Sequence, residues 1–230
     1  MNTSLRLAWN WLRRPAGLAG LAALLAATGC AGPTGFEDPL VTGPFYQPRN
    51  FAGDTVMPAT LRRVVLLPVC AGDLAPPETA AKLDQALLVA LQKQARFEVV
   101  ALSRADSRIW FGAAEFSSAG ALPPDYLRKI GAKFAADAVL FVDLTDYQPY
   151  RPLAVGFRAK LATITETRLV WTFDEVISTR DPGVANRARR QYFQSDPGRE
   201  PVDLSPTVLQ SPGRFATFAA EEMFQTLPPR

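Results

Sequence analysis

Two short runs of almost uninterrupted apolar residues constrain this chain most: Arg63-Val64-Val65-Leu66-Leu67-Pro68-Val69 and Ala138-Val139-Leu140-Phe141-Val142-Asp143-Leu144. A strand with one wet face alternates apolar and polar residues, so runs without alternation need cover on both faces. Neighbouring segments can supply it. Pro76-Pro77-Glu78-Thr79 opens a helix in which Leu83, Leu87, Ala90 and Leu91 fall at helical spacing, with Lys82, Asp84, Gln85 and Lys93 filling much of the other face. Phe97 to Leu102 is a second strand. Ser103, with Asp106 three residues on, caps a short helix through Trp110-Phe111. After a Gly/Ser break at 117–120, Pro123-Pro124-Asp125 starts another helix with Leu127, Ile130 and Phe134 as its apolar positions. Strands joined through helices in this way are expected to be parallel neighbours.

Alternation appears only later. Phe157, Ala159, Leu161 and Thr163 share one face, with Arg158 and Lys160 on the other, and Leu169 to Ile177 continues as a partner strand. The stretch 155–178 is therefore an antiparallel hairpin turning near Thr165-Glu166-Thr167. Residues 181–210 form an irregular excursion with a short helix at 184–194. Ser211 and Pro212 then mark the start of a C-terminal helix whose core stripe is Phe215, Phe218, Ala219 and Phe224. The expected fold is α/β (α+β): a mixed sheet of about five strands, βαβαβ followed by an antiparallel hairpin, with helices packed on the sheet and a C-terminal helix.

Ahead of this body stands a lipoprotein signal peptide, residues 1–29. Arg6, Arg13 and Arg14 form a basic start, Ala16 to Ala27 an apolar stretch, and Ala27-Thr28-Gly29-Cys30 has the shape of a lipobox. The cysteine thiol receives a diacylglyceryl group, and after cleavage its freed amine receives an acyl chain. Removing the three signal-peptide arginines from 25 Lys+Arg leaves 22 against 22 Asp+Glu, so the mature chain is neutral and carries no electrostatic footprint for nucleic acid. Residues 30–60 are rich in Pro and Gly and look like a tether to a single periplasmic domain at 61–230. Phe36, Phe45, Tyr46 and Phe51 are too many rings for a purely solvated linker; docking on the chain's own domain is favoured over docking on a partner.

Little catalytic chemistry is available. The chain contains no histidine, which removes Ser-His-Asp triads, Cys-His pairs and imidazole zinc sites. Neither a phosphate-binding Gly-rich loop ending in Lys-Ser/Thr nor a dinucleotide fingerprint is present. With Cys30 in thioether linkage, Cys70 is an unpaired thiol expected to act as a small buried hydrophobe. Asp143 and Asp146 end the third strand, where α/β sheets place ligands; they are either polar turn residues or a pair for acid/base work or a hard cation. Tyr147 and Tyr150, with Pro149 and Pro152, make an aromatic loop that is a candidate partner surface. A second candidate is the basic run with its rings, Arg187, Arg189, Arg190, Tyr192 and Phe193. It is a solvated face or a contact for anionic lipid, cell wall or protein.

The segment Arg63 to Val69, the strand Phe97-Glu98-Val99-Val100, and Ile130-Gly131-Ala132-Lys133-Phe134-Ala135-Ala136-Asp137-Ala138-Val139-Leu140 leading into a meander together resemble the α/β domains of bacterial envelope lipoproteins. The pattern is similar to the curli-secretion lipoprotein CsgG, the penicillin-binding-protein activator LpoB and the N-terminal domain of TolB, over about residues 62–178. The resemblance implies a non-enzymatic scaffold that assembles with envelope machinery or with itself. Ala31 after the lipidated cysteine resembles the pattern that sends lipoproteins to the outer membrane of Gram-negative bacteria. The expectation is thus an adaptor or assembly factor for secretion, polymer export or cell-wall synthesis, anchored in the bilayer through Cys30, without a cofactor beyond its acyl chains. Its partners are an envelope protein or further copies of itself. Two alternatives stand beside it: a subunit of an oligomeric outer-membrane secretion pore, and a ligand-binding protein or hydrolase using Asp143 and Asp146.

Overall fold

A computed structural model describes residues 39–195 and 207–230. The signal peptide, the lipobox with Cys30 and the ring of Phe36 lie outside the described residues. A one-turn helix α1 (Pro39–Thr42) precedes β1 (Phe51–Gly53), β2 (Arg63–Leu66), α2 (Pro77–Lys93), β3 (Glu98–Ala101), α3 (Arg104–Phe111) and α4 (Tyr126–Phe134). Then follow β4 (Ala138–Gln148), β5 (Ala154–Thr163), β6 (Leu169–Ser178), α5 (Pro182–Ser195), a 3-10 turn at Thr207–Leu209 and α6 (Pro212–Phe224). The mixed sheet has the order β1-β6-β5-β4-β2-β3, with β3, β2 and β4 parallel and the remaining pairs antiparallel.

The two unbroken apolar runs are covered on both faces, as their sequence requires. Val64, Leu66, Leu140 and Val142 join the main core with Leu83, Leu87 and Leu91 of α2 and Phe215, Phe218 and Phe224 of α6. Val65, Leu67, Val139 and Phe141 form a second core with Tyr126 and Ile130 of α4. The helix signals also hold: Ser103 accepts a hydrogen bond from the Asp106 amide at 3.0 Å, and Ser211 accepts one from the Arg214 amide at 3.4 Å. Among the described residues, no helix is long and apolar enough to cross a membrane.

One feature goes beyond the expectation. The sheet has six strands rather than about five, and the added one lies within the Pro/Gly-rich span. Phe51-Ala52-Gly53 has no alternation of its own; it is held by pairing with β6 and by the Glu175 carboxylate, which accepts from the Arg49 and Asn50 amides at 2.9 and 3.2 Å. Earlier in that span Tyr46 is buried, its amide donating to the Gly183 carbonyl, and Phe45 lies under Arg190. The short helix expected at 184–194 is present as α5, Pro182–Ser195. Val184 and Ala188 supply the apolar anchor that holds it to the main core.

β4 and β5 carry a local irregularity at the end of the long strand. Their register shifts between Leu144 and Asp146, and Gly156 lies opposite the bulge. A Cβ on Gly156 would come within 2.9 Å of the Asp146 amide nitrogen and 3.0 Å of Val176, so only glycine fits.

Candidate functional site

The carboxyl ends of β2 and β4 hold a compact polar cluster. Arg104, at the start of α3, donates through Nε to Asp84 of α2 at 2.6 Å and through one terminal nitrogen to Glu115 at 2.6 Å. Its other terminal nitrogen donates to the Val69 carbonyl at 2.7 Å. Asp84 in turn accepts from the Val69 amide, and Glu115 from the Gly72 amide. The guanidinium therefore ties α2, α3 and the loop after β2 into one unit. Burial pushes the Asp84 carboxyl above its ordinary range against the pull of Arg104; for the less buried Glu115 burial is again the largest single effect, but the Arg104 hydrogen bond and charge and the Gly72 and Ala71 amides together outweigh it and the shift is downward.

Cys70 lies beside this cluster, bridging to Asp143 across the parallel strand pair. It is half-buried rather than fully buried, and its Sγ is 3.7 Å from Glu115. Burial, then the charges of Glu115 and Asp143, push the thiol up to about 11. The neutral thiol is a poor nucleophile. Asp143 is itself buried and fully engaged: it accepts from the Ser118 amide at 2.9 Å, the Ser118 hydroxyl at 2.7 Å and the Ser117 hydroxyl at 3.3 Å. Lys160 donates to the Ser118 carbonyl at 2.9 Å, so the Gly/Ser break is pinned onto the sheet. Asp146, past the bulge, instead borders a depression of about 310 Å³ with Tyr46, Gln148, Arg180 and Asp181. The two aspartates thus have separate surroundings.

The residues of the basic run take different roles. Arg187 donates to the buried Glu222 at 2.9 Å and to Gln225 at 3.2 Å. Arg190 lies 4.7 Å over the Phe45 ring, and Tyr192 packs on the main core with Arg214 5.9 Å over its ring. Phe193 meets Tyr192 edge-on. Arg189 is half-buried, and its Nε has no hydrogen-bond partner among the described residues. In the aromatic loop, Tyr147 packs against the core, and burial raises its hydroxyl pKa; Tyr150 is 81% exposed. Sequence reasoning missed the adjacent acids on α6. Burial pushes the Glu222 carboxyl up and Arg187 pulls it down, while Glu221 pairs with Lys93 at 3.1 Å. Their only signal was two acids within an apolar helix stripe. Glu221, Lys93, Tyr192, Arg214 and Phe218 line a cavity of about 460 Å³ between α5, α6 and the 3-10 turn.

Neither a family model nor a curated protein matches this chain. Solved structures do. The PelC dodecamer from Paraburkholderia phytofirmans is similar at a TM-score of 0.48 and 12% identity, covering 79% of this chain and 96% of that one. Lipoprotein GNA1162 from Neisseria meningitidis is similar at 0.39 and 17% identity, over 52% and 85% of the two chains. The C-terminal domain of LpoB from Escherichia coli is similar at 0.37 and 18%, over 56% and 87%.

Proposed function

We propose that this chain is a lipid-anchored, non-enzymatic adaptor on the periplasmic face of the outer membrane, holding a protein of the secretion, polymer-export or cell-wall machinery close to the bilayer. The lipobox ending in Cys30 carries this reading. Eight residues lie between Cys30 and Pro39, the first described residue, and fully extended the nine Cα-to-Cα steps span at most about 30 Å. Since the chain is already packed on the sheet by Tyr46, the free tether is much shorter than the Pro/Gly-rich span suggests. Such an adaptor works by confinement: acyl chains keep its binding surface at high effective concentration for anything at the same membrane.

Tyr150 is the side chain best suited to the partner. It is a large ring with a polar tip, standing free beside the core-packed Tyr147, and exposed tyrosines are favoured anchors of interfaces. Crosslinked cells expressing the full chain are expected to yield one stoichiometric envelope partner on affinity recovery. Tyr150→Ala is expected to lower that recovery by roughly tenfold or more, the size of a central anchor residue, with no change in melting temperature. Recovery of the chain without a partner would count against the adaptor. An unchanged yield with Tyr150→Ala would place the contact elsewhere.

A further inference from the structure

Among the described residues, the short strand β1 has no partner on its outer side. Soluble proteins guard sheet edges by keeping the strand short or with a charge, a proline, a bulge or a covering element, because free N–H and C=O groups recruit other strands. Phe51-Ala52-Gly53 carries none of these side-chain guards, and all three residues are exposed. The opposite edge differs: β3 opens with Glu98, ion-paired to Arg63 at 2.8 Å. On the β6 side of β1, the Asp174 amide donates to the Asn50 carbonyl and the Asp54 amide to the Val170 carbonyl. Alternation along an antiparallel ladder then turns the backbone groups of residues 50, 52 and 54 toward β6, and those of Phe51 and Gly53 outward.

We propose that this outer edge pairs antiparallel with β1 of a second copy of the chain, about a two-fold axis through Ala52. In that register the N–H and C=O of Phe51 meet the C=O and N–H of the other copy's Gly53. The reciprocal pair forms across the axis, and all the outward groups of the strand are satisfied. Side chains fit the same register. Phe51, 45% exposed, lies across from the other copy's Gly53, where a Cβ would be crowded at 3.2 Å from Trp171 and from the Val170 carbonyl and 3.4 Å from Pro228. An aromatic across from a strand glycine shields its bare backbone. Ala52 meets Ala52 at the close, non-hydrogen-bonded position, where Cα atoms approach to about 4.5 Å and a small residue is an advantage. Arg49 stands two residues before the strand and Asp54 directly after it, so antiparallel pairing sets each basic end toward an acidic one, with Asp54 also held by Arg168 at 2.8 Å. Val56, 55% exposed, extends the apolar strip.

A ladder this short buries less than the roughly 1,200 Å² typical of stable complexes in free solution. Confinement of both copies to one membrane supplies the missing effective concentration; in this respect the inference rests on the lipid-anchor reading. The test uses the full-length chain in native membranes under mild oxidation. Ala52→Cys is expected to give a reducible homodimer, at a yield roughly tenfold or more above that of Ile109→Cys, an exposed position on α3 that reports random encounter. The unsubstituted chain controls for Cys70. Adding Phe51→Pro, which removes an outward N–H and leaves the β6-facing groups in place, is expected to abolish the product. Equal crosslinking at both positions, a product with a different protein, or no dimer from Ala52→Cys would overturn the proposal. Intact mass of the same material reports lipidation separately, so a failed anchor and a failed edge give different results.

Discussion

At the scale of single residues, the structure converts an isolated cysteine into a reporter of its surroundings. Sequence reasoning placed Cys70 at the end of an apolar run; the neighbouring Glu115, Arg104 and Asp84 come from three separate segments, and no spacing rule links them. With the thiol raised from 9.0 to about 11, alkylation of folded protein at pH 8 should run about a hundredfold slower than for a thiol of ordinary pKa in the same place. The rate should climb with pH to an inflection near 11; an inflection at or below 9 would show that burial and Glu115 do not act on the sulfur as described. The linked stability effect has a definite sign. Below pH 9 the thiol is neutral in both folded and unfolded chains, and between about 9 and 11 only the unfolded chain releases the proton, so stability falls across that window. Asp143 illustrates the same limit of local reading. Its place at a strand end was legible, whereas its capture by Ser117 and Ser118 required the fold.

At the scale of elements, legibility follows how much of an element's stability is local. The apolar runs of β2 and β4, the helical spacing of α2 and the Ser211-Pro212 start of α6 are patterns within one segment, and all were readable. β1 was not, since three residues without alternation exist as a strand only because β6 and Glu175 hold them. The bulge in β4 was also hidden, although Gly156 inside an alternating strand is a physical hint of close approach. Gly156→Ala should cost about 1–3 kcal/mol, because the added methyl must push the Asp146 backbone or Val176 aside. Chemical denaturation of the purified variant measures this directly. Unaltered stability would mean that the bulge yields freely and that the glycine has no steric role.

At the scale of the whole molecule, the described domain is built on one mixed six-stranded sheet. The sheet is held by helices on both faces of its parallel half. On β5 and β6 the residues alternating with the core positions, Arg158, Lys160, Thr172 and Asp174, remain half-exposed. Under the proposed lipid anchor at Cys30, confinement to a membrane is what would give a small edge strand or a lone exposed tyrosine functional weight. The most direct test is intact-mass analysis of the full-length chain extracted from membranes. The account predicts a mature chain beginning at Cys30, heavier by a diacylglyceryl group and an acyl chain, and its release from the membrane fraction when Cys30 is changed to Ala. A chain that retains residues 1–29, or one cleaved there with an unmodified Cys30, would contradict it.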